Sequence, residues 1–369
     1  MKKREIKYLL IYRQINDLLE KKEYKPFDFI PKEEELCKIY SACRPTLAKA
    51  LDLLVKEGRL KRIKGKGTIV LSVLAVPKIV TGQSVTIGVI IPAVSQINHT
   101  KVLCDSVKLC CKTSGIKYIV AEPYSIENMM NQMIHLSRDI NGLIVYPWSL
   151  LMLDTVRQLK ARNVPLVLIN NYFQDESTAA VIPDFHKAAY MATAYLISRG
   201  HRQIAHITQA KAEHKVMGAI KEFRGGYQKA LGDHGLSFDR QLIEETTDGD
   251  NIQRGYTGIR NLLANRKEIT AVVAFNDLIA VGVIKALQEL TIKVPDDISV
   301  IGFGDDIELH AIYDHGECPL STVSANREIL GFKAVDRLHE LILNKNNLPA
   351  SQIRIEPKLI LRKTCKEIS

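Results

Sequence analysis

The chain has 369 residues, of which 46% are hydrophobic and 25% charged, and its formal net charge at pH 7 is +10. This length exceeds what one ordinary core encloses, so we expect two or three domains. No apolar run approaches the ~20 residues that span a bilayer, and the basic N-terminus shows no signal-peptide cleavage site. Seven cysteines without a CxxC pair argue against a disulfide framework and a zinc site. We therefore expect a cytoplasmic protein with no cofactor and no metal.

The positive charge is concentrated at the start of the chain. Residues 1–70 hold 18 Lys and Arg against 10 Asp and Glu, so most of the excess lies there. The rest of the chain is nearly neutral. Such asymmetry is typical of a nucleic-acid-binding head on a neutral body.

The first block has the pattern of three helices followed by a hairpin. Residues 8–18 carry an apolar stripe at helical spacing, and Leu36–Tyr40 and Leu47–Val55 mark two further helices. The runs RLKRI and TIVLSV then flank Gly65–Gly67, which predicts a β-hairpin. Residues 1–71 are therefore predicted to form a winged helix-turn-helix, a DNA-binding domain.

The positions of the cations in this block predict how it would contact DNA. A third helix lying in the major groove presents its exposed N-terminal end to base edges. The basic ribbon can flank phosphates, and a slim glycine tip can approach the minor groove, where the potential is most negative. The candidate contacts are Arg44, Thr46, Lys49, Arg62, Gly65, Lys66 and Gly67.

The segment "PKEEELCKIYSACRPTLAKALDLLVKEGRLKRIKGKGTIV" resembles the GntR family of bacterial regulators over about 40 residues without a gap. The resemblance implies that Arg44 reads a base, that Thr46 and Lys49 hold phosphate or a base edge, and that Lys66 enters the minor groove. Cys43 stands where the family usually has a Ser that would cap the third helix.

The remainder of the chain predicts two parallel-sheet subdomains. Residues 72–84 carry Pro77 and Gly82 with little periodicity, and we assign them as a linker. From residue 85 onward, short apolar runs such as VTIGVII, GLIVY, TAVVA and ISVIG alternate with amphipathic stretches. This pattern is typical of parallel sheets covered on both faces, an α/β fold, and residues 85–369 are too many for one such sheet.

Polar residues follow the ends of these predicted strands. Doubly wound sheets bind small molecules at the carboxyl ends of their strands. Amides and carboxylates there can bond sugar hydroxyls, and an aromatic ring can cover the apolar face of a sugar. The candidates read from strand ends are Ser95, Gln96, His99, Trp148, Asn171, Asp184, Asn276 and Asp305.

Residues 85–364 resemble the effector domain of the LacI family, and hence periplasmic sugar-binding proteins. The motifs include "IGVIIP", "VPLVLIN", "AYLISRGHRQIAHI", "AVVAFNDLIAVGVIKAL" and "VPDDISVIGFGDD". The resemblance implies two Rossmann-like subdomains joined by three crossings, with an effector between them contacted by Asp184, Asn276 and Asp305. Composite regulators of this build include arabinose-responsive repressors, which makes arabinose or fucose the expected effector.

The sequence also departs from this resemblance. Arg224 stands one residue after the slot where the family places an Arg, a shift of about 100° around a helix. It remains a candidate ligand contact. Gly304 stands where many relatives carry the first of two Asp.

The sequence thus predicts a dimeric repressor that binds a palindromic operator in double-stranded DNA and is released by a monosaccharide. The alternatives are an activator or co-repressor-type regulator that senses a purine or a sugar phosphate, an enzyme acting on a sugar, and a transport-binding protein. The absence of a nucleophile elbow, a Walker loop and a metal-ligand set argues against an enzyme. No membrane partner is expected.

Overall fold

We describe the fold from a computed structural model of the chain. The described residues are 7–21, 23–24, 28–57, 59–63, 67–70, 85–92, 99–174, 177–209, 218–247, 249–266, 268–305 and 318–367. The predicted linker, 72–84, lies outside these residues. The chain divides into two compact units. One unit consists of residues 1–85 and 106–118, and the other of residues 86–105 and 119–369. The predicted domain boundaries at 71 and 85 stay predictions.

The first unit contains the predicted three helices and the hairpin. Its elements are α1 (Lys7–Glu20), α2 (Glu33–Ile39), α3 (Arg44–Lys56), β1 (Leu60–Ile63) and β2 (Gly67–Val70). Strands β1 and β2 pair antiparallel, with Leu60 opposite Val70 and Ile63 opposite Gly67. The winged helix-turn-helix prediction is therefore confirmed in its element order.

The core of this head is formed by residues three and four positions apart on α1 and α3. Ile11 and Ile15 of α1 pack with Leu47, Leu51 and Leu54 of α3, all almost fully buried. Spacings of three and four residues place these side chains on one face of each helix.

The body contains the remaining elements in alternating order. They are β3 (Thr86–Ile90), α4 (His99–Thr113), β4 (Lys117–Ala121), α5 (Ile126–Leu136), β5 (Gly142–Val145), α6 (Leu153–Ala161), β6 (Leu166–Ile169), β7 (Ala179–Pro183), α7 (Phe185–Ser198), β8 (Ile204–Gln209), α8 (Gly218–Asp233), β9 (Ile243–Thr246), α9 (Asn251–Asn265), β10 (Ala271–Ala274), α10 (Asp277–Glu289), β11 (Ser299–Gly304), β12 (Ser321–Ser324), α11 (Arg327–Leu343), β13 (Gln352–Ile355) and β14 (Lys358–Ile360).

These strands form two six-stranded sheets, which define an N-terminal and a C-terminal subdomain. The N-terminal sheet has the order β13-β7-β6-β5-β3-β4, and the C-terminal sheet the order β14-β12-β11-β10-β8-β9. In the N-terminal sheet, the neighbouring strands β3, β5, β6, β7 and β13 all pair parallel. In the C-terminal sheet, β14 pairs antiparallel with β12. The chain passes between the sheets after β7, after β12 and between β13 and β14, so the expected three crossings are confirmed.

Four strands carry little of the apolar pattern from which the others were predicted. Strands β9 (IEET), β12 (STVS), β13 (QIRI) and β14 (KLI) are short and rich in polar residues. β12 is fully buried because neighbours cover it on both sides, with β11 and β14 hydrogen-bonded to it. Tertiary pairing, rather than local propensity, made these segments strands.

No helix in the described part of the chain is long and apolar enough to cross a membrane.

Candidate DNA-binding head and effector cavity

The recognition helix of the head is α3, and Arg44 is its first residue. The Arg44 side chain is exposed, and its Nη2 lies 2.6 Å from Oε1 of Glu34 in α2. Both partners lie at the surface, so the ion pair is weak and a phosphate or a base edge can replace the carboxylate. Arg44 thus lies exposed at the start of α3, and its predicted contact with a base stays a prediction.

The start of α3 lacks the side-chain cap that a Ser would supply. Cys43 occupies the N-cap position and makes no capping hydrogen bond, and its Sγ lies 3.0 Å from the Thr46 hydroxyl. That hydrogen bond lowers the pKa of the Cys43 thiol. Thr46 is half-buried, while Lys49, one turn further along, is exposed. Arg44 and Lys49 are therefore the exposed cations at this end of α3.

Arg62 in the wing is tied to the helices of the head. Its Nε lies 3.1 Å from Oε1 of Glu33, and its Nη1 is bonded to Asp52 of α3. Arg62 thus joins β1 to α2 and α3, and its predicted phosphate contact stays a prediction.

The wing tip is described in part. Gly65 and Lys66 lie outside the described residues. Gly67 begins β2 with φ at +122°, in the region that only glycine adopts without strain. A glycine is therefore required at this position of the hairpin.

The second candidate site is a cavity of about 160 Å³ between the two sheets of the body. It lies at the carboxyl ends of β5, β6, β8, β10 and β11, and at the beginning of several helices. Its described lining residues are Tyr146, Asn170, Asn171, Phe185, Gln209, Ala219, Ile220, Asn251, Phe275, Asn276, Leu278, Phe303 and Arg327. This is the edge at which open α/β sheets bind ligands.

Side-chain amides provide most of the polar lining. Asn171 Oδ1 accepts from the Tyr172 backbone N–H at 2.9 Å, and Asn276 Oδ1 accepts from the Ile279 N–H at 2.9 Å. Because a backbone N–H can only donate, these bonds identify the oxygen of each amide. The NH₂ groups of Asn171 and Asn276 are left as donors for a ligand.

Two further amides repeat this arrangement through one arginine. Nη1 of Arg254 donates to Gln209 Oε1 at 3.0 Å and to Asn251 Oδ1 at 3.1 Å. Asn170 is oriented the other way, with its Nδ2 donating to the Tyr146 hydroxyl at 2.9 Å. In the described lining, four of the five amides therefore accept a protein hydrogen bond at the oxygen, and Asn170 donates one from its NH₂ group.

The structure does not place the two predicted carboxylates in the described lining. Asp184 caps α7, where its Oδ1 accepts from the Lys187 N–H at 2.9 Å. Asp305 is 6% exposed, and its Oδ1 lies 2.8 Å from Nη2 of Arg362. Each carboxylate is engaged by a donor of the protein, and the predicted contact of both with a ligand stays a prediction.

Arg224 and Trp148 also lie outside the described lining. The Arg224 guanidinium is bonded to Glu245 of β9, which also pairs with Arg240 at 3.2 Å. Trp148 is half-buried and packs against the body core. The shift of Arg224 from the family slot puts the fully buried Phe223 on the inner face of α8 instead.

Three predicted contacts from the first strand end are not described. Ser95 and Gln96 lie outside the described residues. His99 begins α4, and its side chain is likewise outside the described part of the chain. Their predicted role stays a prediction.

Sequence reasoning missed Gln209, Asn251 and Arg327. Arg327 is the first residue of α11, is half-buried, and donates from Nη1 to the Gly304 carbonyl at 2.7 Å. Arg327 follows β12, whose polar sequence did not predict a strand, so its place at a strand end was not recognised. Gln209 is the last residue of β8 and lies two residues beyond the apolar run that predicted this strand. Strand ends taken from the structure would have identified both Gln209 and Arg327 as candidates.

A polar bridge joins the two subdomains beside the cavity. Glu222 of α8 accepts from Nη1 and Nη2 of Arg354 in β13 at 2.6 and 2.7 Å, and from the Tyr172 hydroxyl. Burial acts to raise the pKa of Glu222, but Arg354 and Tyr172 outweigh it, and the pKa is lowered. Burial, together with the Glu222 hydrogen bond, raises the pKa of Tyr172 to about 12.

The start of α8 fits closely against the same tyrosine. A Cβ on Gly218 would lie 2.0 Å from Cζ of Tyr172, so only glycine permits this approach. The start of α8 in the C-terminal subdomain thus packs closely against Tyr172 of the N-terminal subdomain.

The aromatic core behind the cavity includes a buried histidine. His206 of β8 is fully buried, lies between Phe223 and Tyr227, and has its Nδ1 2.9 Å from the Val273 carbonyl. A carbonyl accepts, so Nδ1 carries the proton. Burial lowers the pKa of His206 to about 4, so it stays neutral near pH 7. Its contacts are those of a core residue.

The head and the body each match a known family. Residues 7–70 match the gntR family of bacterial regulatory proteins, and residues 193–365 match the periplasmic binding protein-like domain. Together with the two-sheet fold, these matches define a DNA-binding transcriptional regulator with an effector-binding domain.

Two relatives support this class of protein. The HTH-type transcriptional repressor PurR of Actinobacillus pleuropneumoniae serotype 3 (strain JL03) is 30% identical over 250 residues, 67% of this chain and 70% of PurR. The arabinose metabolism transcriptional repressor of Geobacillus stearothermophilus is 24% identical over 370 residues, 98% of each chain. The chain belongs to this family of bacterial repressors, with a GntR-type head and a LacI-type body.

A solved structure extends the likeness to the fold. The LacI family transcriptional regulator from Enterococcus faecium with bound ribose superposes with a TM-score of 0.63 and 21% identity. The match covers 77% of this chain and all of that one. These relatives are transcriptional regulators rather than enzymes.

Proposed function

We propose that this protein is a ligand-responsive repressor that binds an inverted-repeat operator as a dimer and is released by a small polar effector, a monosaccharide or a derivative of one. The observation that carries the proposal is the amide-lined cavity between the two sheets. Its polar groups converge from both subdomains, so a ligand there would contact Asn171 on one side and Asn276 on the other.

The named relatives support a sugar-derived effector. A relative that spans nearly the whole chain is an arabinose metabolism repressor, and a structural neighbour holds ribose. The rings of Phe185, Phe275 and Phe303 supply the apolar surface that a sugar or a base would cover. A purine is the second candidate, because the alignment with PurR covers 67% of this chain at 30% identity.

The exposed end of α3 supports operator binding. Arg44 and Lys49 can reach base edges and phosphates in the major groove, while the apolar face of α3 is buried in the head. One such helix makes few base contacts. A dimer with two heads on one face of the duplex would double them, which is why we propose an inverted repeat.

Release requires the ligand to prefer one arrangement of the subdomains. A ligand shifts an equilibrium only by its difference in affinity for the two states, and typical couplings are about 1–3 kcal/mol. The bridge of Glu222 with Arg354 and Tyr172 joins α8 to the N-terminal sheet. We propose that the geometry of this bridge changes when the subdomains move. Ligand binding and the bridge would then depend on the same change in subdomain arrangement.

The test begins with an operator selected from random DNA by the purified protein. Fluorescence anisotropy then measures operator affinity with and without L-arabinose, D-ribose and hypoxanthine, and sedimentation measures the number of chains per operator. We expect two chains per operator and a 5- to 150-fold loss of affinity with the true ligand. One chain per operator would contradict the dimer, and tighter binding with ligand would indicate a co-repressor.

A further inference from the structure

Two amides in the cavity wall are oriented by a residue that lies behind that wall. Nη1 of Arg254, in α9, donates to Oε1 of Gln209 at 3.0 Å and to Oδ1 of Asn251 at 3.1 Å. Gln209 and Asn251 line the cavity and are half-buried, whereas Arg254 is 7% exposed and is not among the described lining residues. Because a guanidinium only donates, these bonds turn the oxygen of each amide toward Arg254.

This arrangement differs from that of two other amides in the wall. Asn171 and Asn276 accept from backbone N–H groups one and three residues further along the chain, so their orientation is set locally. Gln209 ends β8 and Asn251 begins α9, and Arg254 lies 45 positions from Gln209 in the chain. One side chain thus orients two lining residues that belong to two separate elements.

The backbone that carries Arg254 is packed directly against α10. A Cβ on Gly255 of α9 would lie 1.9 Å from the carbonyl oxygen of Ile279. A Cβ on Gly282 of α10 would lie 1.9 Å from the carbonyl oxygen of Ile252, in α9. Two helix backbones in such close contact leave little space for movement, so the Arg254 guanidinium is presented to the amides from a rigid element.

A fixed amide and a rotating amide treat ligands differently. An amide without a fixing partner can turn about its last side-chain torsion and exchange its oxygen with its NH₂ group, because the two groups are similar in size. A wall of fixed polar groups discriminates between ligands, since the wrong ligand leaves a buried group unpaired. A wall whose amides can turn adapts to more than one ligand and discriminates less.

We infer that Arg254 is a positioning residue of the effector cavity, and that by orienting Gln209 and Asn251 it sets how strongly the cavity prefers one small polar ligand over another. The inference rests on the proposed effector-responsive function and assigns selectivity to a residue behind the cavity wall. Loss of Arg254 therefore weakens the preferred ligand most and narrows its advantage over the others. General damage to the cavity would instead weaken all ligands alike.

The experiment measures the affinities of the full chain for L-arabinose, D-ribose and hypoxanthine by isothermal titration calorimetry. Arg254→Met should lose about 10- to 100-fold in affinity for the ligand that the wild-type chain prefers, the change expected from one or two hydrogen bonds. The ratio of that affinity to those of the other two ligands should fall as well. Arg254→Lys, which keeps a donor, should restore part of both.

Two controls accompany these variants. Arg260→Met removes an exposed arginine of the same helix and should change neither the affinities nor their ratio. The same Arg254→Met change in a Gln209→Ala chain or an Asn251→Ala chain should cost less affinity than in the wild type, because one of the two amides that it orients is gone. The melting temperature without ligand shows that each variant is folded, and Arg254→Lys carries the test if Arg254→Met is not.

The other outcomes separate the inference from the proposed function. If a ligand binds the wild-type chain and a folded Arg254 variant keeps its affinity, or loses affinity equally for all three ligands, the inference is wrong and the proposed function stands. Equal losses in the wild-type, Gln209→Ala and Asn251→Ala chains would also overturn the inference. If none of the three ligands binds the wild-type chain, the proposed effector response is overturned, and the inference with it.

Discussion

The head and the cavity present their polar residues in opposite ways. In the head, Arg44 and Lys49 are exposed on one helix end within six residues of each other. In the cavity, half-buried amides and Arg327 converge from the ends of separate strands and the starts of separate helices. The head depends on local sequence and surface charge, whereas the cavity depends on how two sheets are assembled.

The largest effect should come from the core of the head. Leu51→Ala removes a fully buried side chain and should lower the stability of the head by about 2–5 kcal/mol. Operator binding should be lost. Trp148 is the only tryptophan and lies in the body, so the unfolding transition seen by its fluorescence should not move.

The control for this change is Ile39→Ala, which truncates an apolar side chain that is 59% exposed in the same head. It should keep operator binding. If Leu51→Ala shifted the Trp148 transition as much as operator binding, the head and the body would unfold together, and the contrast between them would fail.

The next effect is a pH dependence that belongs to the body. His206 has a pKa of about 4 when folded against an ordinary value of 6.5, so the unfolded chain binds a proton that the folded chain excludes. Its contribution to stability is therefore complete above pH 6.5 and is lost as the pH falls towards 4, by about 3 kcal/mol.

Urea unfolding at pH 7.5, 6, 5 and 4.5, followed by Trp148 fluorescence, measures this slope. His206→Gln should reduce it, and the part that remains belongs to other groups such as His201 and His339, whose pKa values burial also lowers. His135→Gln, which alters an exposed histidine of α5, should leave the slope unchanged. An undiminished slope in His206→Gln would assign the pH dependence to other groups.

A smaller effect is expected on DNA binding. Arg44→Ala should weaken the selected operator by about 1–3 kcal/mol and relax one base position. Glu34→Gln keeps the size of the partner side chain but removes its charge, so it should not weaken binding. Repeating the operator selection with each variant checks this, and unchanged base preference in Arg44→Ala would contradict the docking of α3.

The smallest effect concerns the bridge between the subdomains. A double-mutant cycle of Glu222→Gln with Arg354→Gln should give a coupling of about 1–2 kcal/mol, because Arg354 is 36% exposed and partly screened. The same cycle at the exposed pair of Lys229 and Asp233 should give a much smaller value. Equal couplings would mean that burial adds nothing to the bridge.

Family, fold class and the main elements could all be read from the sequence. The apolar runs predicted eight strands of the body. Seven of them are largely buried, while β4, at the edge of its sheet, is not. The Gly-Lys-Gly tip with the helix pattern predicted the winged head. The sequence placed Asn171 and Asn276 at the edge where the cavity lies, because polar residues after a buried strand meet at one edge of a sheet. Their contact with a ligand stays a prediction.

The sequence by itself determined which residues could bind, because strand ends and helix starts are local features. Only the tertiary structure decided which of them face the cavity. Asp305 is a predicted ligand contact, and only the structure shows that Arg362, 57 positions later, bonds to its carboxylate. Arg327 escaped prediction because it follows β12, a strand created by its neighbours. The hydrogen-bond partner of a polar side chain can come from a distant part of the chain, and tertiary packing determines which partner lies within reach.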